Sequence, residues 1–219
     1  MKSNLFLQVI ISLVFFLGLG NFVARAMEPN EAVLFAETKG KELLMAFQEE
    51  NLAKRYDELD KIFLNHIDVD YVAKFVIGKY WRQMDEEQRE RYKDIFVKYG
   101  LAFYKTLPLE YAKNLEYEIL GSQKEGEFVN VAANIEVALG KEKQNIMLTF
   151  RLHKPNGVIK VVDVKVAESS LLLSYRSKFY QMIAECDNEI EWFLEYLNDM
   201  ATSMENNLRQ NALNQQKIP

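Results

Sequence analysis

The spacing of large apolar residues changes twice along this chain, and that limits the folds open to it. Up to Pro108 these side chains recur every three or four residues, with Tyr92, Phe96, Tyr99 and Phe103 as the clearest stripe. Such a stripe lies on one face of an α-helix. Beyond Pro108 the period falls to two, first at Leu115, Tyr117 and Ile119, then at Val129, Val131, Ala133, Ile135 and Val137. It continues through Ile146, Leu148, Phe150 and Leu152 and ends with Val162, Val164 and Val166. Alternation of this kind marks strands buried on one face. Helical spacing returns at Leu172, Tyr175, Phe179 and Met182, and again at Trp192, Phe193, Tyr196, Leu197 and Met200.

The breaks in the alternating stretch, at residues 121–126 and 140–143 and at Pro155-Asn156-Gly157, suit hairpin connections. The expected architecture is α+β, with helices on one face of a curved four-stranded antiparallel meander. A sheet curving away from the helices leaves an apolar cavity; one lying flat against them closes a solid core. The pattern alone admits both.

Local signals place the helices. Two stretches precede the long stripe, carrying Val33, Leu34, Leu43, Leu44 and Phe47, then Tyr56, Leu59, Ile62 and Phe63. Asp68 or Asp70 can cap a short helix bearing Val72, Phe75 and Val76, which Gly78 ends with a left-handed turn. Asp85 and Gln88 have capping-box spacing and open the long helix. Residues 205–219 are rich in Asn and Gln without a periodic apolar face, which predicts a disordered polar tail.

The amino-terminal end has the form of a secretory leader: Lys2, an apolar run over residues 5–19, and Ala24-Arg25-Ala26 as a small-x-small cleavage site. Gln8, Ser12, Gly18, Gly20 and Asn21 interrupt the run, which favours removal of residues 1–26 over a retained anchor. One domain over residues 27–204 is then expected. The net charge of −5 becomes more negative once Lys2 and Arg25 leave, which disfavours nucleic acid and lasting adhesion to anionic headgroups. Cys186 is the only cysteine, so stability rests on packing rather than an intramolecular disulfide.

Catalytic chemistry has little to build on. His66 and His153 are the only histidines and stand in no metal-ligand spacing. Ser169, Ser170 and Asp163 occur without a G-x-S-x-G elbow, and none of the nine glycines forms a phosphate loop. Asp85, Glu86, Glu87 and Glu90 form an acidic first turn that the helix dipole already favours. No catalytic residue, cofactor or metal is expected. What stands out is 14 Phe, 11 Tyr, 2 Trp and 8 Met, enough for a packed core or for the wall of an apolar site.

Two stretches sharpen this reading. Val76-Ile77-Gly78-Lys79-Tyr80-Trp81-Arg82, then Asp85 to Arg89 and the aromatic helix from Phe96 to Tyr104, resemble one signature of the MlaC, or toluene-tolerance auxiliary, family. Asp163-Val164, Ser170-Leu171 and Tyr175-Arg176-Ser177-Lys178-Phe179 match another. Ile159 stands where that family has Trp, and Ala167-Glu168-Ser169 stands where it has Glu-Gly-Val. The resemblance implies a nuclear-transport-factor-like fold and a periplasmic phospholipid carrier of the maintenance-of-lipid-asymmetry (Mla) pathway. It implies buried acyl chains, transient membrane contact, and two partners: an outer-membrane lipoprotein complex and an inner-membrane ABC transporter with a mammalian-cell-entry domain. The lipid-binding residues expected at the sheet-helix interface are Val76, Trp81, Phe96, Tyr99, Phe103, Val131, Ile135, Leu148, Phe150, Val164, Leu171, Tyr175 and Phe179. Arg176 is expected either to meet a lipid phosphate or to pair with a neighbouring carboxylate. Two alternatives stay open: a carrier of another amphiphile such as a hopanoid, and an exported enzyme on the same cone-shaped fold.

Overall fold

In the computed structural model, residues 27–106, 115–139 and 142–217 are described. Three helices come first: α1 (Pro29–Gln48), α2 (Leu52–His66) and α3 (Val69–Ile77). A 3-10 turn (Gly78–Arg82) leads into the long helix α4 (Glu86–Lys105). The sheet follows as β1 (Leu115–Glu125), β2 (Phe128–Leu139), β3 (Glu142–His153), β4 (Lys160–Val166) and the two-residue β5 (Ser169–Ser170). Helices α5 (Leu171–Glu185) and α6 (Ile190–Gln216) complete the order.

The caps form as their residues dictate. Asp68 accepts a hydrogen bond from the Tyr71 amide at 2.9 Å, and Gly78 closes α3 at φ +53°. A Cβ at Gly78 would also sit 2.9 Å from the Arg176 guanidinium, so both backbone conformation and space select glycine. Asp85 and Gln88 exchange the reciprocal bonds of a capping box at 2.8 and 3.1 Å.

The sheet is antiparallel in the order β1-β2-β3-β4-β5. Its inward face pairs Val129 with Leu152, Val131 with Phe150, Ala133 with Leu148, and Phe150 with Val164. Glu118, Asn145 and Met147 are exposed on the other face. The fold is therefore α+β, with three departures from the expected elements.

First, β1 does not stop near Ile119. A bulge between Ile119 and Gly121 turns Leu120 outward, and the ladder continues through Ser122 to Glu125, so the turn is only Gly126 and Glu127. An extra residue in the strand breaks the apolar alternation without breaking the pairing. Second, the meander gains a fifth strand, because Ala167 takes φ +53° and folds Ser169 back onto Val166. Third, α6 runs to Gln216 where a disordered tail is expected. Leu208 is buried, and the Gln215 side-chain amide accepts from Leu52 N and donates to Glu50 O, both at 2.8 Å. Polar side chains hold this segment, which is why a search for an apolar face misses it. The leader and the centre of the 140–143 turn lie outside the described residues.

Packing falls into three clusters. The largest joins α3, α4, α5 and α6 around Tyr92, Phe179, Phe193, Leu194 and Leu197, all at 0% exposure. A second seats α1 on the sheet through Ala32, Ala36, Val129, Val131 and Leu152. A third ties α1 to α2 through Ala46, Phe47, Leu59 and Ile62. The candidate site lies between them.

Candidate functional site

Three polar tethers hold the helices around β4 at fixed distances. Asp163 on β4 accepts from Ser170 Oγ at 2.6 Å and from the Leu172 amide at 3.0 Å, which pins the start of α5. Asp68, at the start of α3, also meets His153 Nε2 at 2.7 Å. The Asp68 amide donates to Val161 O at 3.0 Å, and Lys160 Nζ donates to Asn65 O at 2.6 Å, so the α2–α3 junction is stitched to β4. With its edges fixed this way, the space inside is filled only as far as the side chains reach.

They do not fill it. Two apolar cavities of about 150 Å³ each lie side by side, the first between α3, α4, α5 and β4, the second between α1, α2, β3 and β4. Phe63, Ile67, Tyr104, Val161 and Val164 line both and form the partition. Gly100 on α4 faces the first cavity, and a Cβ there would stand 2.8 Å from the Phe63 ring. Glycine thus lets the Phe63 ring lie against the helix backbone. Among the described residues no group of side chains could hold a metal ion.

Of the residues expected from sequence, Val76, Phe96, Tyr99, Phe103, Val164, Leu171 and Tyr175 line the first cavity. Phe150 and Val164 line the second. Phe179 lies instead within the solid helical core, its ring 5.9 Å from Phe96 and 5.7 Å from Phe193. Val131 is fully buried under α1. Trp81 is on the outer side, with Lys74, Arg89 and Lys93 each within 6 Å of its ring. Ile135 and Leu148 lie further along the inward face of the sheet and line neither cavity. Arg176 meets no carboxylate among the described residues; it donates to the Tyr180 hydroxyl at 3.2 Å and stacks over Phe75.

The polar groups at the cavities are few and occupied. Both Asp163 oxygens are bonded as above. His66 borders the second cavity with its Nε2 3.4 Å from Glu42, and burial pushes its pKa down, so the neutral ring is favoured. Burial raises the Tyr104 and Tyr175 phenols well above their ordinary value, which keeps them neutral. Hydrocarbon and neutral phenols make a surface suited to an apolar guest and poor for proton transfer.

Comparison with known proteins bears directly on this geometry. The family description "MlaC protein" matches residues 42–199. The chain belongs to the MlaC family. One solved structure it resembles is a phospholipid-binding protein from Ralstonia solanacearum in complex with a phospholipid. The TM-score is 0.64 at 17% identity, covering 78% of this chain and 97% of that one, so the likeness is one of fold. A search of curated proteins finds no match.

For this MlaC family member the match runs from the end of α1 into the first turns of α6 and includes every element around the first cavity. The residues missed from sequence are chiefly Phe63, Ile67, Gly100 and Tyr104. Tyr104 continues the α4 stripe, two helical turns beyond Phe96, and was legible there; Phe63 and Ile67 reach the cavity only because α2 is tied to β4. Within the Ala167-Glu168-Ser169 stretch, Ala167 takes a left-handed φ of +53°, a conformation that costs a residue with a Cβ local strain.

Proposed function

We propose that this protein is a periplasmic phospholipid carrier that shuttles lipid between an outer-membrane lipoprotein complex and an inner-membrane ABC transporter bearing a mammalian-cell-entry domain, so maintaining outer-membrane asymmetry. Residues 1–26 are its cleaved export signal, and its contact with membranes is transient. The observation that carries this reading is the pair of hydrocarbon-lined cavities between sheet and helices in a member of the MlaC family. The Ralstonia solanacearum protein of similar fold, solved with a phospholipid, supports the choice of ligand. Among the described residues no helix is long and apolar enough to cross a membrane.

The physics requires such a container. Exposing two acyl chains of about 30 methylenes in all costs roughly 24 kcal/mol at about 0.8 kcal/mol each. That exceeds the roughly 18–21 kcal/mol that non-covalent binding reaches, so bare transfer through water is closed off. A dry cavity replaces the bilayer interior and brings exchange close to neutral. At about 150 Å³ each, the two spaces are smaller than the ~300–1,000 Å³ of ordinary ligand sites, so loading widens the gap between α5, α4 and β4.

The role is binding and carriage rather than catalysis. An enzyme on this fold needs an acid-base pair facing the cavity, and Asp163 is saturated while His66 is held by Glu42. Organic extraction of protein purified from its own envelope, followed by mass spectrometry, tests the ligand. Phospholipid at a fixed stoichiometry is the expected result; a hopanoid or other terpenoid would replace it with the alternative carrier, and no lipid would overturn carriage.

A further inference from the structure

Each cavity has a lysine beside it, and the two differ. Lys39 lines the second cavity and is ion-paired with Glu42 at 2.6 Å. Lys178, exposed on α5, donates instead to the Tyr99 hydroxyl at 3.0 Å, with its ammonium 5.7 Å from the centre of that ring. Among the described residues its partner is thus a phenol hydroxyl and not a carboxylate. Three other lysines of the helical layer meet acids, Lys93 with Glu90 at 2.7 Å, Lys98 with Glu205 at 3.7 Å and Lys105 with Asp60 at 2.8 Å, while Lys74 and Lys79 lie over the rings of Trp81, Tyr80 and Tyr180. In a chain of net charge −5, a cation left without an acid beside an apolar opening is conspicuous.

Its position follows from helix geometry. Leu171, Tyr175 and Lys178 stand at i, i+4 and i+7, on one face of α5. Leu171 and Tyr175 line the first cavity, as does Tyr99, and Leu171 is still 41% exposed, so this face forms the cavity's rim. Phe103 completes it, with its ring edge-on to Tyr175 at 5.4 Å. Arg176 is turned to the other side, over Phe75 and Tyr180.

We propose that Lys178 is the phosphate-binding residue of the carrier, its ammonium receiving the phosphodiester of a glycerophospholipid whose acyl chain enters the first cavity past Leu171, Tyr175 and Phe103. This rests on the carrier reading above. An ammonium on a flexible stem is a movable point charge, suited to a headgroup that stays in water. Tyr99 holds it at the rim without neutralising it. Because the ion pair is exposed, it selects for phosphate without locking the lipid in place.

The test uses delipidated protein, equilibrated with detergent micelles containing equimolar dioleoylphosphatidylglycerol and dioleoylglycerol, which share acyl chains and differ in the phosphate. Bound lipids are counted by mass spectrometry. Wild type is expected to enrich the phospholipid, Lys178→Gln to lower that ratio about fivefold, and Lys178→Arg to keep most of it. Raised salt should bring wild type toward the Lys178→Gln ratio. An unchanged ratio in Lys178→Gln, with lipid still bound, overturns the headgroup assignment alone. Wild type that takes up neither lipid overturns the carrier reading instead. In a second arm, inorganic phosphate alone should leave the Lys178 side-chain NMR signal in place; a shift matching that produced by lipid would assign the residue to free phosphate.

Discussion

Tyr92, Phe179 and Phe193 in the helical layer and Phe103, Tyr175 and Val164 facing β4 are the same kinds of residue, yet they do opposite things. The first three have 0% exposure and close a solid cluster; the second three are only half-buried and border empty space. In the helical layer, long side chains from α4, α5 and α6 interdigitate, with Tyr92, Phe96, Phe179 and Phe193 ring to ring at 5.7 to 6.5 Å. Facing β4, the neighbours are short: Val161, Val164 and Gly100 leave room that Phe63 and Tyr104 only divide. A chain can therefore place a stable core and a ligand space on two sides of the same helices. Stability and binding should separate accordingly.

The largest effect expected is on stability alone. Phe193→Ala removes a fully buried ring and should cost about 4 kcal/mol, read as a lowered urea midpoint, while lipid per folded molecule is unchanged. Lost lipid at an equal folded fraction would break the separation of the two regions. Next comes binding alone: Val164→Glu places an unpaired charge against both cavities and should abolish lipid retention in a folded protein, whereas Leu148→Glu, away from both, should retain it. Equal loss in the two variants would extend the ligand space along the sheet. Gly100→Ala should have a smaller effect. Its methyl pushes the Phe63 ring into the gap, while the gain in helix propensity of about 1 kcal/mol offsets the strain, so lipid uptake drops a few fold at near-constant stability. Finally, Ala167→Gly relieves a left-handed residue and should raise stability by about 1 kcal/mol, with lipid content unaffected; a fall in either would show that the turn is not strained.

Much of this molecule was legible in its residues, because the signals involved are local. The stripe from Tyr92 to Phe103, the alternation from Val129 to Val137, the Asp68 and Asp85 caps and the Gly78 stop each depend on neighbours within a few positions, and each forms as read. The elements that were misread depend on distant partners. β1 past Gly121 is held by β2 rather than by its own pattern, and the end of α6 is held by Gln215 reaching residues 50 and 52. The cavities take in some of the expected residues and not others, because a stripe identifies which face is buried, not what it is buried against. Phe96 and Phe179 both sit on apolar helical stripes and meet ring to ring, yet only Phe96 also borders a cavity.

By itself, then, the order of amino acids determined the α+β architecture, the helix ends and the residues withheld from water, since period and capping act along the chain. Only the tertiary structure decided that the space between β4 and the helices stays open. That outcome depends on how far apart Asp163, Asp68 and Lys160 hold the surrounding elements and on how short the opposing side chains are. Those distances exist only once residues remote in sequence have met.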